Sequence, residues 1–106
     1  ARVDIAVAQM LRVVRPGGVV LIMETLGTGT EQANPPHERL AAYYAHLEQQ
    51  WGFTRQVLQT DFQFNSVEEA VENTEFFFGV EMSARIRSAN WARIPEWTGV
   101  WQRKVE

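Results

Sequence analysis

The segment Arg15-Pro16-Gly17-Gly18, followed at once by Val19-Val20-Leu21-Ile22-Met23, constrains this chain more than any other stretch. Proline cannot continue a helix and glycine permits a sharp reversal, so the element before it ends there. The run after it is unbroken, apolar and rich in β-branched residues. It is too short for a buried helix and reads as a strand covered on both faces, the usual condition in a parallel sheet. Upstream, Val3, Val7, Met10, Leu11 and Val14 fall on one stripe at three- and four-residue spacing. That spacing predicts an amphipathic helix over about Arg2 to Val14, with Arg12 and Arg15 near its end, where cations suit the helix dipole.

Downstream, Thr25 to Pro36 reads as a loop, because its glycines and the Pro35-Pro36 pair oppose regular structure. Asn34 is placed to cap the next helix, with a proline at its first position. Leu40, Tyr43, Tyr44, Leu47 and Trp51 form that helix's apolar stripe, and Gly52 ends it. The period then changes to two. Phe53 to Phe64 reads as one strand, with Leu58, Thr60, Phe62 and Phe64 on one face and Arg55, Val57, Gln59 and Asp61 on a wetter one. Ser66-Val67-Glu68-Glu69 is a capping-box signature. The helix it opens is expected to bury Val67, Ala70, Val71, Thr74 and Phe78 and to end at Gly79. Met82, Ile86 and Ala89 predict a second short helix, stopped near Asn90, so residues 66–90 form a helical insert. After Pro95, Trp97 to Lys104 alternates as a last strand. Helices alternating with strands are the α/β signature. The first two strands are joined by a full helix, so they should run parallel through a right-handed crossover, with the last strand antiparallel.

The stretch Met10-Leu11-Arg12-Val13-Val14-Arg15-Pro16-Gly17-Gly18-Val19-Val20-Leu21-Ile22-Met23-Glu24, with the order of elements after it, resembles the carboxy-terminal half of class I S-adenosylmethionine-dependent methyltransferases. The resemblance covers essentially the whole chain but only that half of the family's Rossmann-like fold. It implies a single partial domain over residues 1–106, a three-stranded mixed sheet flanked by helices, and a last strand lying centrally and antiparallel to its neighbours. It also implies S-adenosylmethionine as the cofactor and transfer of a methyl group to a small-molecule nucleophile. The family's main cofactor motifs, a glycine-rich turn after the first strand and an acid ending the second, have no counterpart here. Gly27-Thr28-Gly29 is the only Gly-x-Gly; position 32 is Gln, and a proline-containing loop follows. No cofactor-binding residue is therefore assigned to this chain. It begins at Ala1 with a helix already in stride, which suggests a piece of something longer; a processed amino terminus is the alternative.

Composition narrows the partners. Ten basic residues against thirteen acidic ones give a net charge of −3, which opposes binding to a nucleic-acid backbone. No apolar run approaches the roughly 20 residues that span a membrane. Without cysteine there is neither disulfide nor thiolate metal site. Nothing resembles a secretory signal, and a cytoplasmic location is expected. His37 and His46, nine residues apart, do not share the face that a helical metal pair needs, so no metal is expected.

In open α/β sheets ligands bind beyond the carboxyl ends of parallel strands, here Glu24-Thr25 and Asp61-Phe62. Glu24 would orient a substrate amine or hydroxyl or act as a base; alternatively it is tied to loop amides. Thr25 and Thr28 lie on the substrate-side loop, and His37 lies near a helix start where it could meet substrate. His46 reads as a solvated helix residue. Tyr43 and Tyr44 are core residues or, for one of them, a side chain at the mouth of the site. Phe76-Phe77-Phe78 cannot all face one side of a helix, since neighbours point about 100° apart. Phe77 would line a lid over an apolar substrate, or the three rings pack between two short helices. Trp97 and Trp101 share a strand face with Gly99 between them, leaving a gap for a helix residue to fill. No catalytic residue is assigned, because methyl transfer depends more on in-line positioning than on a dedicated acid or base. The alternative function is a non-catalytic interaction module using an exposed strand edge or the aromatic insert. Either way, Val19 to Met23 has no charge or proline to protect its edge, and self-association through it is expected.

Overall fold

The computed structural model describes residues 2–106. In chain order they form helix α1 (Arg2–Val13), strand β1 (Val19–Thr28), helix α2 (Glu38–Gln49), strand β2 (Thr54–Gln59), short strand β3 (Phe62–Gln63), helix α3 (Val67–Ala89), short strand β4 (Arg93–Ile94) and strand β5 (Glu96–Lys104). The main sheet has the order β1-β5-β2, and β5 is antiparallel to both neighbours. β1 and β2 therefore point the same way across it. A two-stranded sheet of β3 and β4 stands apart.

The proline-glycine turn does two jobs. Gly17 sits at φ +88°, a conformation open to glycine at little cost. Its amide donates to the Val105 carbonyl at 2.7 Å, and the Val105 amide returns a bond to the Gly18 carbonyl at 2.8 Å. The start of β1 is thereby stitched to the end of β5, which fixes the register Val19 opposite Lys104.

Helices α1 and α2 cover the same face of the sheet. Val7 of α1 and Tyr44 and Leu47 of α2 join Val20, Leu26, Phe53 and Trp101 in one buried cluster. The opposite face of β1 is open: Val19 is 50%, Leu21 58% and Met23 66% exposed. The expectation that this strand is covered on both faces is thus corrected. β1 also runs on to Thr28, past a register irregularity between Thr25 and Thr28, where Gly27 adopts φ +116°. Gly27, read as loop, instead sits at a bulge inside the strand, and Gly29 follows the strand's end.

Three other expectations are revised. The strand read over Phe53–Phe64 is broken after Gln59. Thr60 donates its amide to the Glu96 carbonyl and the Asp61 carboxylate accepts the Glu96 amide, so the chain leaves the main sheet there and β3 pairs with β4. Asn34 does not cap α2; its amide bonds the Leu26 carbonyl, and His37 is the cap residue, without a side-chain cap bond. The atoms nearest the gap beside Gly99 belong to the Trp101 ring and Leu26, both on strands, and not to a helix residue. The insert follows its sequence signals more closely, except that Phe78, expected to be buried, is 41% exposed. Ser66 Oγ accepts the Glu69 amide at 3.0 Å, Gly79 interrupts α3 with φ 84° and ψ −179°, and Asn90 closes it in the left-handed conformation. A second small core joins Ala70, Val71 and Ile86 of this insert to Ile94 of β4.

His46 is not merely solvated. Its Nε2 donates to Asp4 Oδ1 at 2.6 Å, and Trp51 Nε1 donates to the same oxygen at 2.7 Å. These two bonds tie α1 to α2 and hold the Asp4 carboxyl down at about 2, below its ordinary 3.8. A depressed carboxylate stabilises the fold above its unfolded value and ceases to do so as pH falls toward the folded one. Stability is expected to drop between about pH 5 and pH 2, as acid melts followed by circular dichroism would show. Asp4→Asn should flatten that segment of the profile; an unchanged slope would count against this role for the carboxylate.

β1 lies at an edge of the sheet, and its outer side pairs with no other strand among the described residues. Unpaired amides and carbonyls on an apolar edge template another strand. The 106-residue chain by itself is expected to pair with a second copy there. On concentration, amides of Val19–Met23 should gain protection from hydrogen exchange while those of Trp97–Lys104 stay constant. A monomer at high concentration whose β1 amides exchange slowly throughout would refute the pairing.

Candidate functional site

The ends of β1 and β2 come together with the start of β5, because β5 pairs with both. Thr28, the last residue of β1, lies opposite Glu96, the first of β5. The Thr28 hydroxyl donates to Glu96 Oε2. From just past the end of β2, Asp61 accepts the Glu96 amide on Oδ1 at 3.0 Å, and Arg93 Nε and Gln59 Nε2 on Oδ2, each at 3.0 Å. Thr60 and Thr98 share a hydroxyl–hydroxyl bond of 2.7 Å beside them. Burial, opposed by the Thr28 bond and reinforced by the Asp61 charge, pushes the Glu96 carboxyl above the usual carboxylate range. A carboxylate with raised proton affinity next to a hydroxyl can orient an incoming hydroxyl or amine.

The segment after β1 meets the second half of α3. Gly29, at φ +71°, lies so close to Met82 that a Cβ there would sit 2.8 Å from Met82 Sδ. Arg85 donates from its guanidinium to the Gly29 carbonyl and stands 6.0 Å from the Trp91 ring centroid. Between Gly29–Asn34 and the Arg85–Trp91 pair opens a polar cleft of about 630 Å³.

The residues singled out from sequence fall into separate places. Glu24 does not end its strand. It lies opposite Gly99 within β1, and its charge bears on Tyr43 and Tyr44. Neither a hydrogen bond nor an ion pair reaches its carboxylate from the described residues, so the tie to loop amides is not what holds it. Tyr44 is fully buried, 4.4 Å from the Trp101 ring centroid, and donates to the Thr25 carbonyl at 2.7 Å. Its place is therefore the core and not the mouth of the site. Burial first, then the Glu24 charge, pushes its hydroxyl up to about 12, so it is no base near neutrality. Thr25 Oγ1 accepts the Gly27 amide at 3.1 Å, a turn bond within the bulge. His37 is exposed at the start of α2 and makes no side-chain cap bond. Phe77 is 71% exposed and lines a different, apolar groove with Phe62, Phe64 and Phe78. Glu96 and Arg85 were not singled out from sequence. Glu96 follows Pro95 directly and so begins the last strand, which is the only signal that could have marked it.

Among the described residues, no group of three or more His, Asp or Glu side chains is placed to hold a metal ion. No helix among them is long and apolar enough to cross a membrane. Compared with family models, with curated proteins and with solved structures, the chain matches none.

Proposed function

We propose that this chain is the carboxy-terminal, substrate-side portion of a class I S-adenosylmethionine-dependent methyltransferase that acts on a small-molecule nucleophile. One observation carries the reading: the last strand lies between the two earlier ones and runs antiparallel to both. That is the arrangement implied by the resemblance of Met10–Glu24 and the elements after it. A chain folding by local hairpins would have paired sequential strands side by side instead. The ends of β1 and β2, with Thr28, Asp61 and Glu96, then form the wall toward which a methyl acceptor is turned.

The residues present do not fit the cofactor itself. In Gly27-Thr28-Gly29, the Gly27 amide is taken by Thr25 Oγ1 and the Gly29 amide by the Pro95 carbonyl at 2.7 Å. A phosphate- or carboxylate-cradling turn needs such amides free. This chain therefore supplies the acceptor's surroundings, and the cofactor's binding groups belong to other residues of the parent protein.

Calorimetric titration with S-adenosylmethionine tests both parts. The full-length parent should bind one equivalent; no binding would remove the methyltransferase reading. The 106-residue chain alone should bind negligibly. Saturable micromolar binding by it, near one to one, would overturn the division of labour while leaving the activity class in place.

A further inference from the structure

The polar cleft between the segment after β1 and the second half of α3 adjoins the Thr28–Glu96 wall, because Gly29 follows Thr28 directly. Its volume of about 630 Å³ suits a small molecule, since such sites span roughly 300–1,000 Å³. Both sides are held in place. On the loop side, Trp97 Nε1 donates to the Thr30 carbonyl at 3.0 Å, and the Thr30 hydroxyl donates to the Gln32 carbonyl at 3.1 Å. The Asn34 amide donates to the Leu26 carbonyl at 2.8 Å. On the helix side, Trp91 packs against the insert's core, and its amide donates to the Ile86 carbonyl at 2.9 Å. Arg85 is anchored between the two sides, by its bond to the Gly29 carbonyl and by the Trp91 ring, whose centroid is 6.0 Å away.

The anchored guanidinium has no counter-ion. The Gly29 carbonyl takes one of its five N–H donors, and no carboxylate among the described residues pairs with it. What remains is a fixed fork of the kind that a carboxylate accepts with both oxygens. Only one other charged residue, Glu31, lines the cleft. Its carboxylate likewise makes neither a hydrogen bond nor an ion pair with the described residues. One cation and one anion thus border the same space without being bonded to each other. A molecule carrying a carboxylate alone is repelled by Glu31, and one carrying an ammonium alone is repelled by Arg85; a molecule with both finds a partner for each. The side-chain amides of Gln32 and Asn34, which also line the cleft and bond no described residue, offer donors and acceptors to an uncharged polar group. We infer that this cleft binds a small zwitterion, an amino acid with a neutral polar side chain, its carboxylate on Arg85 and its ammonium on Glu31. The identity of this amino acid as the methyl acceptor rests on the function proposed above; its binding does not.

The test is calorimetric titration of the full-length protein with L-glutamine and no S-adenosylmethionine, so that failure here is separate from failure of the methyltransferase reading. Saturable binding is expected at about millimolar concentration, the range for a ligand of so few heavy atoms. Glutaramate, which lacks the ammonium, and 4-aminobutanamide, which lacks the carboxylate, should each bind at least tenfold more weakly. Glu31→Gln should weaken glutamine tenfold or more and leave glutaramate no weaker than before. Arg85→Gln should weaken both tenfold or more, and Arg85→Lys, which keeps the charge but not the fork, should weaken both by a smaller factor. Arg87→Gln removes a guanidinium that does not line the cleft and should leave binding unchanged. Circular dichroism melts identify any variant that has lost its fold. If Arg85→Gln has, Glu31→Gln carries the test, because the Glu31 side chain bonds nothing that its loss would release. Absence of saturable glutamine binding would overturn the proposal, as would glutaramate binding as tightly as glutamine or an equal loss in Arg87→Gln. So would a tightening of both ligands in Glu31→Gln, because Glu31 would then only screen Arg85.

Discussion

Trp101→Ala is expected to destabilise the chain by about 3–5 kcal/mol, the usual cost of truncating a buried aromatic to alanine. A domain of this size has roughly 5–15 kcal/mol in total, so much of it would unfold. Trp101 is fully buried, stacks near Tyr44, and donates its indole N–H to Glu48 Oε2 at 2.8 Å. Arg55 donates to the same oxygen at 2.6 Å and places its guanidinium 5.1 Å from the indole ring centroid. Removing the ring thus opens a cavity and strips Glu48 and Arg55 of a shared partner at once. Gly99 supplies a sharper test. A Cβ there would fall inside the Trp101 ring's van der Waals surface and 2.9 Å from Leu26 Cδ1. Gly99→Ala should cost about 1–3 kcal/mol by overpacking. In the double variant the added methyl enters the space the indole left, so the two losses should sum to less than their total. Urea melts of the four proteins check this; strict additivity would mean that Gly99 and Trp101 do not compete for one volume.

Asp61→Ala is expected to cost about 1–3 kcal/mol, because it leaves the Glu96 amide without its acceptor in a half-buried corner. The Asp61 side chain is only 7% exposed, whereas Arg93, its ion-pair partner, is 70% exposed. The ion pair with so open a partner contributes little, so Asp61→Asn, which keeps an oxygen for the Glu96 amide, should cost under about 1 kcal/mol. Denaturant melts distinguish the two, and exchange of the Phe62–Gln63 amides should quicken in the alanine variant alone. Equal losses in both variants would shift the weight from the amide bond to the ion pair.

Several local signals in the sequence were sound, while others, such as Asn34 as a cap and Gly27 as loop, were not. Pro16-Gly17-Gly18 ends α1 and starts β1, Ser66 opens α3, and Asn90 closes it. The central placing of the last strand was implied only by the resemblance of Met10–Glu24 and the order of elements after it, not by the strand's own residues. What stayed illegible depends on partners far along the chain. The break at Asp61 is set by Glu96, 35 residues on. The role of His46 is set by Asp4, 42 residues back. Period-two alternation continues through Phe62 and Phe64, and nothing local says that the strand changes sheets. The apolar run of β1 was read as doubly covered because hydropathy reports what a residue tolerates, not which helices arrive; here both arrive on one side. Of the residues proposed for the site, Glu24 lies inside a strand that continues past Gly27 to Thr28, and Tyr44 lies in the core.

The two separate apolar cores have a consequence for how the molecule opens. The one under the sheet contains Trp101, Tyr44, Leu47 and Phe53, whereas the one in the insert is built from Ala70, Val71, Ile86 and Ile94. The seam between them includes the polar links from Arg85 to Gly29 and from Asp61 to Glu96. Free energies of opening within one protein range from near zero to the global value, in contiguous cooperative units. The insert has the smaller core, so it is expected to open first, with the sheet still standing. Amides within residues 66–90 should therefore exchange with solvent faster than those of β1 and β5, at conditions well short of the global melt.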